Sequence, residues 1–389
     1  MRALEKVGRS SCPPLDAHST APGEFRVLRS YLRLPPKPGG MEKHIEALTL
    51  AQRAVGIEVV NLYNEGKPSG DSLHILPNVS LGRVIRPDVV RKAVFYSAMS
   101  MTISRIESTI PTVFHVHGDW KDFTFAAWTA RSFKPTVLAA TIHDAISSRH
   151  HAATARSLSP FHLVFCTGKG DQVALEQSLG RKVHHLPSAP HSIFAEGQRA
   201  TPAMRSDVVS VGSLVNKKRV DLILECAARR REWRFSIYGD GVERERLERR
   251  SKVLNLDNVI FHGEVSKEEV LEGMISSRVF LSTATREGTP TGAMEAMSVG
   301  LPVVLTPSNV YDWLIGPGES GEVTNGWSVE QILFSLDALL GDEQRRVRMG
   351  AAARSRMSRE NWGAKATTVS ELMRAELAVQ QAISRFPIH

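Results

Sequence analysis

The run Val279-Phe280-Leu281-Ser282, Thr283-Ala284-Thr285-Arg286-Glu287-Gly288-Thr289-Pro290, Thr291-Gly292-Ala293-Met294-Glu295-Ala296-Met297-Ser298 and, after a short turn, Pro302-Val303-Val304-Leu305 decides the fold. Its pieces read in turn as a short apolar strand, a loop of Thr, Gly and Pro, a helix and another apolar strand. Short strands that are apolar on both faces belong in a parallel sheet covered on both sides.

Working outward, the same alternation repeats upstream. Strand 208–211 leads to helix 220–230, strand 235–238 to helix 243–254, and strand 258–261 to helix 267–275. The spacing, about 20–25 residues per unit, is that of successive βα crossovers. The first half shows the pattern again. Strand 25–28 is followed by the loop Pro35-Pro36-Lys37-Pro38-Gly39-Gly40 and an amphipathic helix 41–54 with Ile45, Leu48 and Ala51 on one face. Strands are expected at 57–62, 112–116, 136–141 and 163–165, whereas 81–105 has no clear period. A polar stretch at 195–206, with Gly197 and Pro202, reads as a linker. The fold class is therefore α/β: two doubly wound halves that face a central cleft, the usual place for a ligand.

Composition narrows the class. With 42% hydrophobic and 23% charged residues, the 389-residue chain is an ordinary globular protein long enough for two domains. No run of about 18 apolar residues is present to span a membrane. Cys12, Cys166 and Cys226 are too far apart for a disulfide framework or a zinc motif, which suits a reducing cytoplasm. The net charge of +8 favours anionic partners. The densest basic run, 229–250, has glutamates among its arginines and reads as a solvated, ion-paired helix, so no nucleic-acid partner is expected. Residues 1–24 read as a flexible extension without the apolar core of a secretory signal.

The chemistry concentrates where strand 279–282 gives way to helix 291–298. Free N–H groups and the dipole at a helix start suit a phosphate. Glu287 lies before that start and Glu295 beyond it. The helix rises only ~5 Å from Gly292 to Glu295, so the two carboxylates reach opposite ends of a ligand whose phosphates sit between them. Carboxylates bind sugar hydroxyls well, and a nucleotide-sugar fits. Taken alone, the two glutamates read as a loop residue in solvent and a helix surface residue; the loop and the flanking strands turn the reading toward a ligand. Gly39-Gly40 opens a helix beneath a strand end, where a phosphate or sugar can approach the backbone or where the chain simply turns. His115 and His117 share a face of one strand, which invites a metal, yet no third ligand has motif spacing.

On these residues the chain resembles the family-4 glycosyltransferases, retaining enzymes built from two Rossmann-like domains in the GT-B arrangement. The resemblance runs from about 25 to 375. It is carried by Glu287 and Glu295, with seven residues between them, by Ala296-Met297-Ser298-Val299-Gly300-Leu301-Pro302-Val303-Val304, and by the turns Tyr238-Gly239-Asp240-Gly241 and Phe261-His262-Gly263-Glu264-Val265. It implies an N-terminal acceptor domain at 25–195, a C-terminal nucleotide-sugar donor domain at 205–365, and a last helix in 366–389 that crosses back to the first domain. It implies that Glu287, His117 and Lys218 are catalytic. Gly39, Gly40, Lys218, Glu287, Gly288, Thr289, Thr291, Gly292 and Glu295 would bind the donor, with Glu287 on the sugar, Glu295 on the ribose and Gly288 to Gly292 near the diphosphate. His117 would be the cleft histidine that contacts the sugar, and His143 stands at a second cleft turn. No metal and no cofactor are implied, and no acceptor-binding residue is assigned.

The chain departs from the family twice. Ser213 stands where the family has a phosphate-binding Arg, and Ser cannot make a bidentate phosphate contact; Lys217 or Arg219 would have to compensate. Ser188 and Ala189 replace the Asn and Gly of the family's hinge turn. The expected partners are a nucleotide-sugar donor and a glycan or lipid-linked acceptor. A cytoplasmic enzyme, with room for peripheral contact at an anionic inner membrane face, is the expectation. Two alternatives stand beside transfer: a nucleotide-sugar epimerase of the same architecture, and a non-catalytic binder, for which Ser213 speaks.

Overall fold

The computed structural model describes residues 24–34, 40–67, 70–77, 79–81, 88–103, 110–143, 146–196, 205–307 and 313–385. Residues 1–23 of the expected 1–24 extension, the linker core at 197–204, Gly39 and Cys12 lie outside the described residues.

The first domain is a seven-stranded parallel sheet. Its strands are β1 (Arg26–Ser30), β2 (Glu58–Tyr63), β3 (Ser72–His74), β4 (Thr112–Gly118), β5 (Val137–Ile142), β6 (Leu163–Cys166) and β7 (His184–His185), in the order β3-β2-β1-β4-β5-β6-β7. The helices are α1 (Gly40–Ala54), α2 (Asp88–Ile103), α3 (Trp120–Phe133), α4 (His151–Leu158) and α5 (Lys169–Leu179). The order reverses beside β1, so β1 and β4 form the switch point where doubly wound sheets bind ligands. β4 is buried along its whole length, as both-face coverage requires.

The second domain is a six-stranded parallel sheet ordered β10-β9-β8-β11-β12-β13. The strands are β8 (Ser206–Val211), β9 (Phe235–Tyr238), β10 (Val259–Gly263), β11 (Ser277–Ser282), β12 (Val303–Leu305) and β13 (Glu322–Val323). Its helices are α6 (Ser192–Glu196), α7 (Val220–Arg229), α8 (Arg244–Val253), α9 (Lys267–Ile275), α10 (Thr291–Ser298), α11 (Val329–Leu340) and α12 (Glu343–Met357). Phe194 of α6 is fully buried among second-domain side chains, so the chain has already crossed over by Ser192.

The last helix, α13 (Trp362–Arg385), starts before the expected 366 and returns to the first domain. Its Ala366, Val369, Met373 and Leu377 join Leu48, Val113 and Val137 in one apolar cluster. α13 lies on α1, where Gln52 Nε2 donates to Ser370 Oγ at 3.1 Å. That cover explains why α1 buries Thr49 and Gln52 as well as the expected Ile45 and Leu48. It also lets β1 keep a fully buried Arg29, which donates to Thr49 Oγ1 at 2.6 Å and to Gln52; burial lowers its pKa to about 9.

Candidate active site

A cleft of about 720 Å³ lies between the carboxyl edges of the two sheets. Ser213, Lys217, Lys218, Glu287, Gly288, Thr289 and Thr291 line it from the second domain. Lys218 ends the short 3₁₀ turn after β8, and Glu287 lies in the loop between β11 and α10. The two are distant in sequence but meet: Lys218 Nζ donates to Glu287 Oε1 at 2.7 Å. Thr283 and Thr285 hold the segments together, with Thr283 Oγ1 donating to the Lys218 carbonyl and Thr285 N–H to the Lys217 carbonyl, both at 2.9 Å. α10 follows Pro290 and no side chain caps it; the Thr291 N–H donates to the Thr289 carbonyl at 3.0 Å, and the N–H groups after it are those that suit an anion.

Gly288 and Gly292 are demanded by close approach. A Cβ on Gly288 would lie 2.3 Å from the His143 carbonyl oxygen, across the domain boundary, and one on Gly292 would lie 2.8 Å from that of Val211. Ser188 N–H also donates to Thr289 Oγ1 at 3.1 Å, so the loop between β11 and α10 touches the first domain twice. Gly40, by contrast, lines the cleft at the start of α1, and a Cβ there would meet no protein atom within 4 Å. Gly292 and Glu295 do not line the cleft. Glu295 is buried on α10 and accepts a hydrogen bond from Lys267 Nζ at 2.6 Å.

The two proposed substitutes for the missing arginine behave differently. Arg219 turns away to Asp221, which it meets at 3.0–3.2 Å. Lys217 lines the cleft beside Ser213.

The first-domain wall carries a histidine cluster that sequence spacing does not reveal. His117 is fully buried in β4 and stands behind His143, which itself lines the cleft. The Nδ1 of His117 and the Nε2 of His143 are 2.8 Å apart, so one ring donates to the other. His44 of α1 bonds Ser188 Oγ through Nδ1 at 2.9 Å and packs edge-on to His143. His115 turns to Thr141 Oγ1 at 2.7 Å. Burial depresses the pKa of all four rings, that of His143 to about 3, so they are neutral. Among the described residues, His44, His117 and His143 are the group whose ring nitrogens lie within 4.8 Å of one another and could hold a metal.

The same wall carries an ion cluster that sequence reasoning missed. Lys92 of α2 is nearly buried and meets Asp122 at 2.6 Å, Asp119 at 2.9 Å and Asp88 at 3.6 Å. Asp119 caps α3, and Asp122 completes the capping box. Burial raises the Asp122 pKa to about 6 despite Lys92. The Asp-x-x-Asp spacing at 119–122 was the available signal; Lys92 gave none, because its helix has no period.

Comparison with known proteins bears on the fold and the second domain. Residues 194–356 match the family described as Glycosyl transferases group 1. A sulfoquinovosyl transferase of Arabidopsis thaliana is 29% identical over 165 residues, which is 42% of this chain and 32% of that protein. A lipopolysaccharide 1,6-galactosyltransferase of Salmonella typhimurium is 26% identical over 212 residues, 52% of this chain and 58% of that one. The chain thus spans between about a third and three fifths of the length of these relatives. Anabaena HepE, solved in complex with UDP, superposes with a TM-score of 0.73 at 15% identity, over 90% of this chain and all of that one. The group 1 glycosyltransferase assignment is supported through the second domain, and the two-domain architecture is that of the GT-B glycosyltransferases.

Proposed function

We propose that this protein is a retaining, metal-independent glycosyltransferase that moves a sugar from a nucleotide-diphosphate sugar to a hydroxyl acceptor in polysaccharide or glycolipid assembly. The observation that carries the reading is the meeting of Lys218 and Glu287 at 2.7 Å on the cleft wall, beside the uncapped start of α10. A leaving diphosphate needs positive charge as its bond to the sugar breaks. Lys218, Lys217 and the α10 N–H groups supply it. Glu287 takes the sugar hydroxyls once Lys218 turns to phosphate. The family resemblance gives the ribose to Glu295, which exchanges its Lys267 contact for it at the far side of the α10 start, outside the cleft lining. His143 forms the wall beside the sugar, and His117 fixes its ring by hydrogen bond. The acceptor enters from the first-domain side, on the face the diphosphate leaves, and the departing phosphate accepts its proton.

UDP-sugars are the first donors to test, because the superposing HepE structures hold UDP and UDP-glucose. A panel of nucleotide-sugars screened by thermal shift is expected to give one class that raises the Tm by several degrees, with the gain lost in Glu295→Ala. Transfer is expected to keep the anomeric configuration of the donor by NMR and to survive EDTA. An inverted product, or activity that EDTA removes and zinc restores, would refute the corresponding part of the reading. The second outcome would assign the histidine trio to a metal.

A further inference from the structure

Three imidazoles from three separate segments converge at the first-domain wall: His44 of α1, His117 of β4 and His143 just after β5. Each can offer one ring nitrogen, and the three nitrogens lie within 4.8 Å of one another. Zinc holds imidazole nitrogens at about 2.0–2.1 Å in a tetrahedron, which sets two ligands on one ion about 3.3 Å apart. The observed separations bracket that value, because His117 Nδ1 and His143 Nε2 stand at 2.8 Å. His143 lines the cleft, so a cleft water can complete the tetrahedron.

Hydrogen bonding leaves the trio unsatisfied. Among the described residues, His44 Nε2 and His117 Nε2 are buried without a hydrogen-bond partner. Buried ring nitrogens ordinarily find one, and two left over in a single cluster point to an ion or a water held there. Ser188 favours the ion. It bonds His44 Nδ1 at 2.9 Å, and where the ring donates that proton the lone pair falls on Nε2. Metal-binding histidines are oriented in this way by a partner on the other ring nitrogen. The donor set is all imidazole, which suits zinc and its neighbours rather than magnesium or calcium. Arg29, buried close enough for its charge to act on His44 and His117, works against a dication and weakens its hold. The site therefore fills when free metal rises and empties when it falls.

Two of the three ligands border the second domain. His44 reaches it through Ser188, whose N–H donates to Thr289 Oγ1 at 3.1 Å. The His143 carbonyl faces Gly288, where a Cβ would come within 2.3 Å. An ion on these rings fixes both contacts at once. We propose that His44, His117 and His143 form a reversible binding site for a zinc-class dication, which holds the β11–α10 loop against the first domain and so inhibits transfer. The ion acts as a brake outside the chemistry, and EDTA releases it. The inhibition rests on the transferase reading above; the metal site does not.

The test uses the full chain, stripped with EDTA and dialysed, with Co²⁺ as a coloured stand-in for Zn²⁺. Co²⁺ is expected to give the intense visible band of a four-coordinate site, and Zn²⁺ to displace it. His44→Gln is expected to abolish the band and Ser188→Ala to weaken metal binding roughly tenfold or more. His262→Gln, in the second domain, is expected to leave the band unchanged. Zn²⁺ is expected to lower transfer several-fold relative to the same protein in EDTA, and His44→Gln to bring that ratio back toward one. UDP-induced thermal stabilisation reports a folded donor site in each variant, and Ser188→Ala decides where His44→Gln does not fold. A weak octahedral spectrum, or a band that neither His44→Gln nor Ser188→Ala alters, would overturn the site. Zinc that binds through the trio yet leaves transfer unchanged, or that transfer requires, would overturn the brake. Metal binding in a protein that no nucleotide-sugar stabilises would break the transferase reading and leave the site standing.

Discussion

Each domain sets a lysine against a carboxylate at the cleft, and the two pairs are built differently. Lys92 in the first domain is nearly buried and ringed by Asp122, Asp119 and Asp88. Lys218 in the second domain faces Glu287 at the cleft wall and keeps about a fifth of its side chain exposed. A cation ringed by fixed carboxylates cannot be released without stranding a buried charge. A cation with one partner at the edge of a cavity can exchange that partner for an incoming phosphate. The first pair is a clamp that joins α2 to the start of α3, and the second is, on the proposed function, the contact that a diphosphate would exchange.

The largest expected effects separate these roles. Lys218→Met should lower turnover by about 10²–10³ and cost less unfolding stability than Lys92→Met, because one carboxylate at a cavity edge rather than three around a buried lysine loses its cation. Lys92→Met should cost roughly 3–5 kcal/mol, on the order of a 10 °C drop in Tm. Steady-state kinetics and thermal melts on both variants check this, and equal loss of stability in the two would dissolve the distinction.

Acid should sharpen it further. The imidazoles of His44, His115, His117 and His143 are neutral in the fold, with pKa values held below the ordinary 6.5 by burial. The unfolded chain therefore binds protons first. The stability these rings allow is whole above pH 6.5 and is lost as pH falls from 6.5 toward 3, by roughly 1 kcal/mol for each ring at pH 5.5. The second domain has one histidine, the half-buried His262. Acid should thus unfold the first domain ahead of the second, and a urea midpoint unchanged between pH 7 and 5.5 would contradict the neutral cluster.

The smallest effect concerns Ser213. Ser213→Arg should tighten UDP binding by several-fold, and Lys217→Ser should weaken it by a similar factor. Calorimetric titration reads both, and no change in either would remove Lys217 from the diphosphate site.

The two regions also differ in how far the amino-acid sequence reveals them. In the second domain every expected strand is present within a residue or two at its ends, because each βα unit is local and its apolar runs are unambiguous. Glu287 and the start of α10 lie in one continuous stretch, so their chemistry is legible there. In the first domain the site is assembled from far apart. Lys92, Asp122, His44 and His143 share no spacing. α2 shows no period because its exposed positions Val89, Val90 and Met101 are as apolar as the buried Phe95, Tyr96 and Met99, so no polar face marks the helix. The edge strands β3, β7 and β13 span two or three residues each, too few to alternate. The placement of His117 behind His143 was illegible for the same reason: which ring of a strand end meets the cleft depends on the neighbouring strand.

The polypeptide passes between its halves twice, once ahead of Ser192 and once where α13 departs. Both passages touch the same imidazole, since His44 bonds Ser188 and packs edge-on against Trp362 at 4.9 Å between ring centres. Two tethers fastened at one spot define a pivot. A book-like opening of the halves about it would leave both tethers fastened, while sliding past one another would pull both from their shared anchor.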